Sequence, residues 1–476
     1  MNDLTNCIIK HGEKLDPLLI YSAAELLNPN KDTNAAFFTD TIICNEIFKQ
    51  LPKIGNEHLT ILEPSVDAGV FLPFIAQHFK DKKIIEIWIN DIDKIELNLA
   101  KLIFDTFYAK KYPNIKINIF NEDYLELDLR NKKFDLIIGN PPYQKLKLNN
   151  PKISKYKTTT KILKSTNLFV YFFKKVLNDA NIVSLIVPKS LLNAPEYDEL
   201  RNYINQYQIN SIIDFGENGF CGVKIETINV IVNTQKQPQN TYIKSLAKKI
   251  ELNQKQLYIT DKKFPTWLIY RDKFFDEYSQ NLELGMFSVF RDRQISSKFC
   301  NKSNGNIRVL RSRNIQTNQI ININKYDLFI DSIEHLAVKK YLNKENIICL
   351  PNLSYSPRAC FLPKNCIADG SVALLETKMK LKKEDLCIFE TIDFRHYYHI
   401  ARNYGTRSLN IDSNSIYYFG VKKKNEIFKW WRNYLFYKST SLWCEKNREC
   451  KMDRSEMHSR CCLYNCWLYL AISERK

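Results

Sequence analysis

Phe134-Asp135-Leu136-Ile137-Ile138-Gly139-Asn140-Pro141-Pro142-Tyr143 is the stretch on which the fold of this chain turns. A short apolar run bounded by a turn signal reads as a buried strand. Two consecutive prolines cannot continue a sheet ladder, so the strand must end at Gly139. Asn140–Tyr143 then forms a stiff turn at a strand's C-terminal end, the place where open α/β sheets bind ligands. The turn offers an amide oxygen, a carbonyl without a helix or sheet partner, and an aromatic ring. That set suits a planar ring bearing an exocyclic amino group. Taken alone, the same four residues also read as an ordinary Pro-rich loop.

The surrounding sequence alternates. Apolar runs at Leu59–Leu62, Ile84–Ile89, Ile115–Ile119, Phe134–Ile138, Ile182–Val187, Ile209–Phe215 and Thr227–Val232 predict strands. Val70–Phe79, Ile92–Tyr108, Leu168–Leu177 and Tyr197–Tyr207 carry helical patterns between them. Alternation of this kind predicts an α/β fold, a largely parallel sheet with helices on both faces. The short connection before Thr227 predicts that the last two strands form an antiparallel pair. Gln235–Asn240 breaks the pattern and reads as a linker. The expected organisation is an N-terminal extension over 1–33, a catalytic domain over 34–238, a second domain over 239–421, and an atypical tail over 422–476.

A chain of 476 residues with 45% hydrophobic and 13% aromatic residues has enough apolar material for two or three real cores, which excludes a disordered protein. Its formal charge of +18 favours a polyanionic partner. Lys and Arg interleave with Tyr, Phe and Asn, which points to nucleic acid before an acidic protein or a membrane surface. Met1–Asp16 does not resemble a signal peptide, and no apolar run approaches the roughly 20 residues of a membrane helix, so no membrane partner is expected. The 13 cysteines follow neither disulfide nor zinc spacing through residue 420. They read as reduced thiols of a cytoplasmic protein.

Upstream of the proline turn lie three further strand ends with chemistry. The first strand runs into Glu63-Pro64-Ser65-Val66-Asp67-Ala68-Gly69 and then a helix. Small residues there let backbone approach a ligand, and the helix start offers free N–H groups to an anionic end. The second strand ends in Asn90-Asp91-Ile92-Asp93. An acidic residue at this place binds ribose hydroxyls, although Asp91 also reads as a helix N-cap. After the third strand, Asn121-Glu122-Asp123-Tyr124 sets a carboxylate beside an aromatic ring, a pair that suits an adenine amino group and ring face and also suits a plain loop.

Together these pieces resemble the N6-adenine DNA methyltransferases that use S-adenosyl-L-methionine. The resemblance covers about residues 34 to 235 in order and continues more weakly to about residue 420. It implies a Rossmann-like methyltransferase sheet followed by a C-terminal target-recognition domain. In Asn34-Ala35-Ala36-Phe37-Phe38-Thr39 it places Phe38 and Thr39 against the methionine part of the cofactor. Glu63, Ser65 and Gly69 match the main cofactor loop, Asp91 the ribose binder, and Asp123 with Tyr124 the adenine binder. Asn140, Pro141, Pro142 and Tyr143 match the catalytic motif in its adenine form. Phe220, in Gly219-Phe220-Cys221-Gly222, resembles a second aromatic clamp that stacks on the target base with Tyr143. The order of these segments is that of the gamma class of type II restriction-modification systems.

The chemistry implied is direct methyl transfer to the N6 amino group of an adenine flipped out of double-stranded DNA. No metal is implied. The expected biological role is site-specific protection of host DNA in a bacterial cytoplasm, with a cognate restriction endonuclease as functional partner. Two departures stand out. Asp67 occupies a position where the family usually has Gly, and Asp40 one where it often has Pro. Asp67 brings a second reading with it, a DNA-binding relic whose cofactor site is impaired. The same catalytic motif also occurs in enzymes that methylate RNA or protein, a further alternative.

After the catalytic turn, Lys145, Lys147, Lys152, Lys155, Lys157, Lys161 and Lys164 form a basic stretch that suits phosphate contacts or, more plainly, a solvated loop. Residues 245–420 lack the strand–helix alternation. Ile307–Ile315 and Leu350–Arg358 resemble segments of target-recognition domains, which read base edges with Arg, Asn, Gln and Ser. From about Lys422 the composition shifts toward Cys and Trp, without a periodic pattern. His458 with Cys461, Cys462 and Cys466 has the wrong spacing for zinc. That tail reads as out of frame or truncated, and resequencing the gene tests this.

Overall fold

A computed structural model describes residues 2–27, 41–129, 132–219, 225–296, 300–301, 305–352, 357–406 and 410–423. Phe38, Thr39, Asp40 and Phe220, and the tail beyond residue 423, lie outside the described residues.

The predicted strands all form, and they join one nine-stranded sheet. They are β1 (His58–Glu63), β2 (Ile84–Asn90), β3 (Ile115–Phe120), β4 (Phe134–Gly139), β5 (Ala180–Pro188), β6 (Gln208–Gly216) and β7 (Thr227–Asn233), followed by β8 (Asn240–Ser245) and β9 (Ile250–Lys255). The order is β3-β2-β1-β4-β5-β7-β6-β8-β9. β1 pairs in parallel with both β2 and β4, β2 with β3, and β4 with β5. β7 runs antiparallel to β5 and β6, which it separates. Every residue of β4 is buried, which explains its apolar character; the one charged residue, Asp135, accepts from the Asn56 amide and from the Thr60 N–H and hydroxyl.

The expected linker does not end this sheet. Gln235–Gln239 is a turn pinned by Gln208, which accepts from the Gln239 N–H at 2.5 Å and donates to the Asn240 carbonyl at 2.6 Å. β8 then pairs in parallel with β6, and β9 with β8 in antiparallel fashion, so the sheet reaches Lys255, beyond the expected boundary at 238.

The helices are α1 (Asn2–His11), α2 (Pro17–Leu27), α3 (Thr41–Gln50), α4 (Leu72–His78), α5 (Lys94–Phe107), α6 (Lys152–Thr160), α7 (Leu168–Asp179) and α8 (Asp198–Ile204). α5 starts where the Asp93 carboxylate accepts the Ile95 N–H at 2.9 Å, and it buries Leu97, Ala100, Ile103 and Phe104 at helical spacing. Leu99 and Ile103 form a small core with Leu4, Ile8, Ile20 and Tyr21 of the N-terminal pair α1 and α2. α7 starts at Asn167, whose side chain accepts from the Phe169 N–H.

Beyond β9 the chain forms short strands and short helices, the two longest among the described residues being α9 (Lys273–Gln280) and α10 (Ile392–Ala401). A four-stranded antiparallel sheet, ordered Ser288–Phe290, Val372–Glu376, Ile348–Pro351 and Cys360–Phe361, divides two cores. Successive strand residues face opposite ways. Ile348, Leu350, Ala373 and Leu375 join the core of the large sheet, whereas Cys349, Val372 and Leu374 join a separate core with Val309, Leu328 and Ile367. Helices α9 and α10 meet through Phe275 and Tyr397, stacked at 4.9 Å within the main core. The second core is thus confined to the middle of the C-terminal half. No described helix is long and apolar enough to cross a membrane.

Candidate functional site

A cavity of about 320 Å³ opens at the C-terminal ends of β1, β2, β3 and β4, where the strand order reverses between β1 and β4. That is a switch point, and its volume is that of a small-molecule site. Each strand end contributes one wall: Ser65 and Asp67 after β1, Asp91 and Ile92 after β2, Glu122–Leu125 after β3, Asn140 and Pro142 after β4. Leu168 and Phe172 of α7 and Lys152 and Tyr156 of α6 complete it.

Asn90 is the knot of these loops. It is 1% exposed; its amide donates to the Pro64 carbonyl at 3.0 Å and the Glu122 carbonyl at 3.1 Å, and its Oδ1 accepts the Glu122 N–H at 3.2 Å. Its own carbonyl accepts the Val66 N–H at 2.9 Å. Asp91 is not a helix N-cap, since Asp93 fills that role. The Asp91 carboxylate instead accepts the N–H groups of Asp67 at 3.1 Å and Asp93 at 2.9 Å at the cavity wall. Burial raises its pKa, and the backbone donors oppose that rise.

The loop after β1 needs left-handed backbone twice, at Asp67 (φ 51°) and Gly69 (φ 82°). A side chain on Gly69 would come within 2.9 Å of Leu72 and 3.0 Å of Ala100, so this glycine lets the loop turn tightly against α5 and does not line the cavity. Asp67 holds a glycine-like conformation with a carboxylate attached. Glu63 lies behind the loop, 1% exposed, and its Oε2 has no hydrogen-bond partner among the described residues. Burial pushes its carboxyl well above the usual range, and Asp67 and Asp91 add to that. The same two neighbours, after burial, raise the Glu96 carboxyl at the start of α5 to about 8.

The turn Asn140–Tyr143 adjoins this cavity. The Ser65 hydroxyl donates to the Asn140 carbonyl at 3.4 Å, joining the first loop to the turn. Tyr143 is 9% exposed, meets Phe169 edge-on at 6.2 Å, and donates its hydroxyl to Asn140 Oδ1 at 2.7 Å. Pro141 is buried and Pro142 reaches the cavity.

Asp123 and Tyr124 reach the cavity, but both have other partners. Asp123 Oδ2 accepts from Lys152 Nζ at 2.7 Å and from the Tyr156 hydroxyl at 2.6 Å. The Tyr124 hydroxyl donates to Asp179 at 2.7 Å while its ring leans on Phe172 at 5.3 Å. Ser65, Asp91, Asp123, Tyr124, Asn140 and Pro142 therefore share one cavity, whereas Glu63 and Gly69 support its first loop from behind. Sequence reasoning missed Asn90, Ile92 and Phe172. Asn90 and Ile92 flank Asp91, and the signal for Phe172 was its place on the buried face of α7.

Three lysines of the basic stretch are paired within the protein: Lys145 with Glu196 at 2.8 Å, Lys152 with Asp123, and Lys155 with Glu126 at 2.7 Å. In the C-terminal half, Arg308 holds Asp327 at 2.8 Å, Asn314 is fully buried against Asp327, and Arg358 donates to the Ile315 carbonyl at 2.6 Å. These three polar residues hold the segments together from within.

Residues 26–220 match the model of the Eco57I restriction-modification methylase family. The chain is 26% identical over 302 residues to modification methylase CviBIII of Paramecium bursaria Chlorella virus NC1A, a match covering 62% of this chain and 69% of that protein. It is 25% identical over 227 residues to the type II methyltransferase M.VspI of Vibrio sp. (strain 343), covering 47% of this chain and only 53% of that enzyme. Among solved structures, the type IIL restriction-modification enzyme MmeI in complex with DNA superposes with a TM-score of 0.48 at 13% identity, over 86% of this chain and 66% of that one. Residues 26–220, which carry the four strand ends that build the cavity, are thus similar to the restriction-modification methylases.

Proposed function

We propose that this protein is a site-specific DNA methyltransferase that moves a methyl group from S-adenosyl-L-methionine to the N6 amino group of an adenine flipped out of duplex DNA. The observation that carries this reading is the junction of Asn140–Tyr143 with a carboxylate-lined cavity through Ser65. The cavity's charge supports the cofactor. Asp67, Asp91, Glu122 and Asp123 line it against one cation, Lys152, which suits a ligand bearing a sulfonium and an ammonium group.

In this reading Asp91 binds the ribose hydroxyls, Asp123 the adenine amino group, and Ile92 and Phe172 the two faces of the adenine ring. Ser65 and the loop that Glu63 and Gly69 support hold the methionine end, with Phe38 and Thr39 beside them. When bound, the cofactor supplies an electrophilic methyl group on a cationic sulfur. Asn140 Oδ1 and the Pro141 carbonyl accept the two N–H bonds of the target amine. Those bonds pull its lone pair out of conjugation with the ring and aim it along the line of transfer. Tyr143 stacks on the base with Phe220, and Pro142 keeps the turn rigid. The Tyr143 hydroxyl takes one of the two acceptor positions of Asn140 Oδ1, so the entering amine shares this oxygen with it or takes its place.

Lys147, Lys157, Lys161 and Lys164, the other lysines of the basic stretch, are proposed to meet DNA phosphates. Target recognition is proposed for the part of the chain beyond β9, up to residue 421, since the large sheet runs to Lys255. A restriction endonuclease of the same specificity is the functional partner, and the bacterial cytoplasm is the setting. A second reading, a DNA-binding relic, draws on Asp67, whose carboxylate adds negative charge beside the methionine end. Calorimetric titration with S-adenosyl-L-methionine separates the two: saturable binding supports the enzyme, and its absence, with recovery in Asp67→Gly, supports the relic.

A further inference from the structure

The adenine end of the proposed cofactor site has a feature that the function above does not use. Asp123 is held from the side by a helix that follows the catalytic turn. The Lys152 ammonium and the Tyr156 hydroxyl of α6 both donate to Oδ2, at 2.7 and 2.6 Å. A carboxylate oxygen has two lone pairs, so Oδ2 is saturated. Oδ1 accepts the Leu125 N–H at 3.1 Å, an Asx turn that leaves one acceptor position. All three residues line the cavity. Tyr156 is 3% exposed and packs on Tyr171 at 5.6 Å, so its hydroxyl is a fixed donor. Burial and then Asp123 push that hydroxyl far above its ordinary pKa, which keeps the proton on it at any working pH.

We propose that Tyr156 and Lys152 are positioning residues that make the cofactor site select a 6-amino purine. They bind one oxygen of Asp123 and so turn its remaining acceptor toward the cavity. An amino group at purine C6 donates to that acceptor, whereas a 6-oxo group would set oxygen against oxygen. Lys152 also neutralises the Asp123 carboxylate. Without the two donors the carboxylate is no longer held in one orientation, and ordering it costs part of the hydrogen bond to the amino group, so the amino preference falls.

The inference rests on the methyltransferase reading, and one experiment tells their failures apart. S-adenosylhomocysteine and its deaminated counterpart S-inosylhomocysteine are titrated calorimetrically into full-length wild-type protein, Tyr156→Phe and Lys152→Met. Wild type is expected to prefer the amino compound by at least about tenfold. Each variant is expected to shrink that preference by about fivefold, through weaker binding of the amino compound alone. Equal weakening of both compounds, or an unchanged preference, overturns the positioning role. If neither compound binds wild type, the methyltransferase reading itself fails. The Lys152 side chain is about half exposed on α6, so Lys152→Met keeps the test valid should Tyr156→Phe not fold.

Discussion

Asp67 is the residue whose backbone and side chain disagree. Its φ of 51° is where glycine is at ease and other L-residues are strained, although Asp tolerates it better than most. Asp67→Gly is expected to stabilise the fold by about 1 kcal/mol in urea unfolding. A loss of stability would mean that the carboxylate supports the loop. Tyr143 allows a second test. Tyr143→Phe removes the donor on Asn140 Oδ1 and keeps the ring, so methyl transfer should stay within about threefold of wild type, whereas Tyr143→Ala should cost about ten- to a hundredfold through lost stacking. Equal losses in the two variants would assign the role to the hydroxyl. The proline turn, the Asp91 position and the Asp123-Tyr124 pair were legible because each stands at the end of an apolar run. The Lys152–Tyr156 hold on Asp123 was not, because it joins residues 29 and 33 positions apart through tertiary packing.

At the scale of elements, the first seven strands and α5 and α7 could be read from their sequence, since each strand is a short run rich in Ile, Val, Leu or Phe and the caps Asp93 and Asn167 stand just before their helices. β8 and β9 were hidden by Gln235–Gln239, whose polar residues resemble a linker while Gln208 holds them as a turn. The start of α5 carries a pH-dependent element. Burial, Asp67 and Asp91 raise Glu96 to about 8, so its carboxyl is neutral in the folded protein where the unfolded chain would ionise it. A raised pKa gives stability that is complete below the unfolded value and is lost as pH rises through the folded one. Thermal unfolding midpoints are therefore expected to fall between about pH 5 and pH 8, and Glu96→Gln should flatten that decline. A rising midpoint over this interval would show that another group dominates.

At the scale of the molecule, a buried network ties the sheet's C-terminal edge to the last described third of the chain. Lys189 donates to Asp214 at 2.7 Å, Tyr270 donates to the same oxygen at 2.5 Å, and Glu226 accepts the Thr406 N–H at 2.9 Å. Removing one partner of a buried pair strands the other charge, so Asp214→Ala is expected to cost about 3–5 kcal/mol in urea unfolding. A cost below about 1 kcal/mol would show that the pair is dispensable. No local pattern in the sequence announces this network, nor the sheet that divides the two C-terminal cores, because both depend on residues far apart in the chain.

The charge of +18 belongs to the same scale, and DNA affinity should fall steeply with salt. The measurement to make first is transfer of labelled methyl groups from S-adenosyl-L-methionine to duplex DNA, with the modified nucleosides then identified. N6-methyladenine is expected, formed by the wild type and lost by at least about a hundredfold in Asn140→Ala. Label on another base, or equal label in the Asn140→Ala variant, would contradict the role given to the proline turn.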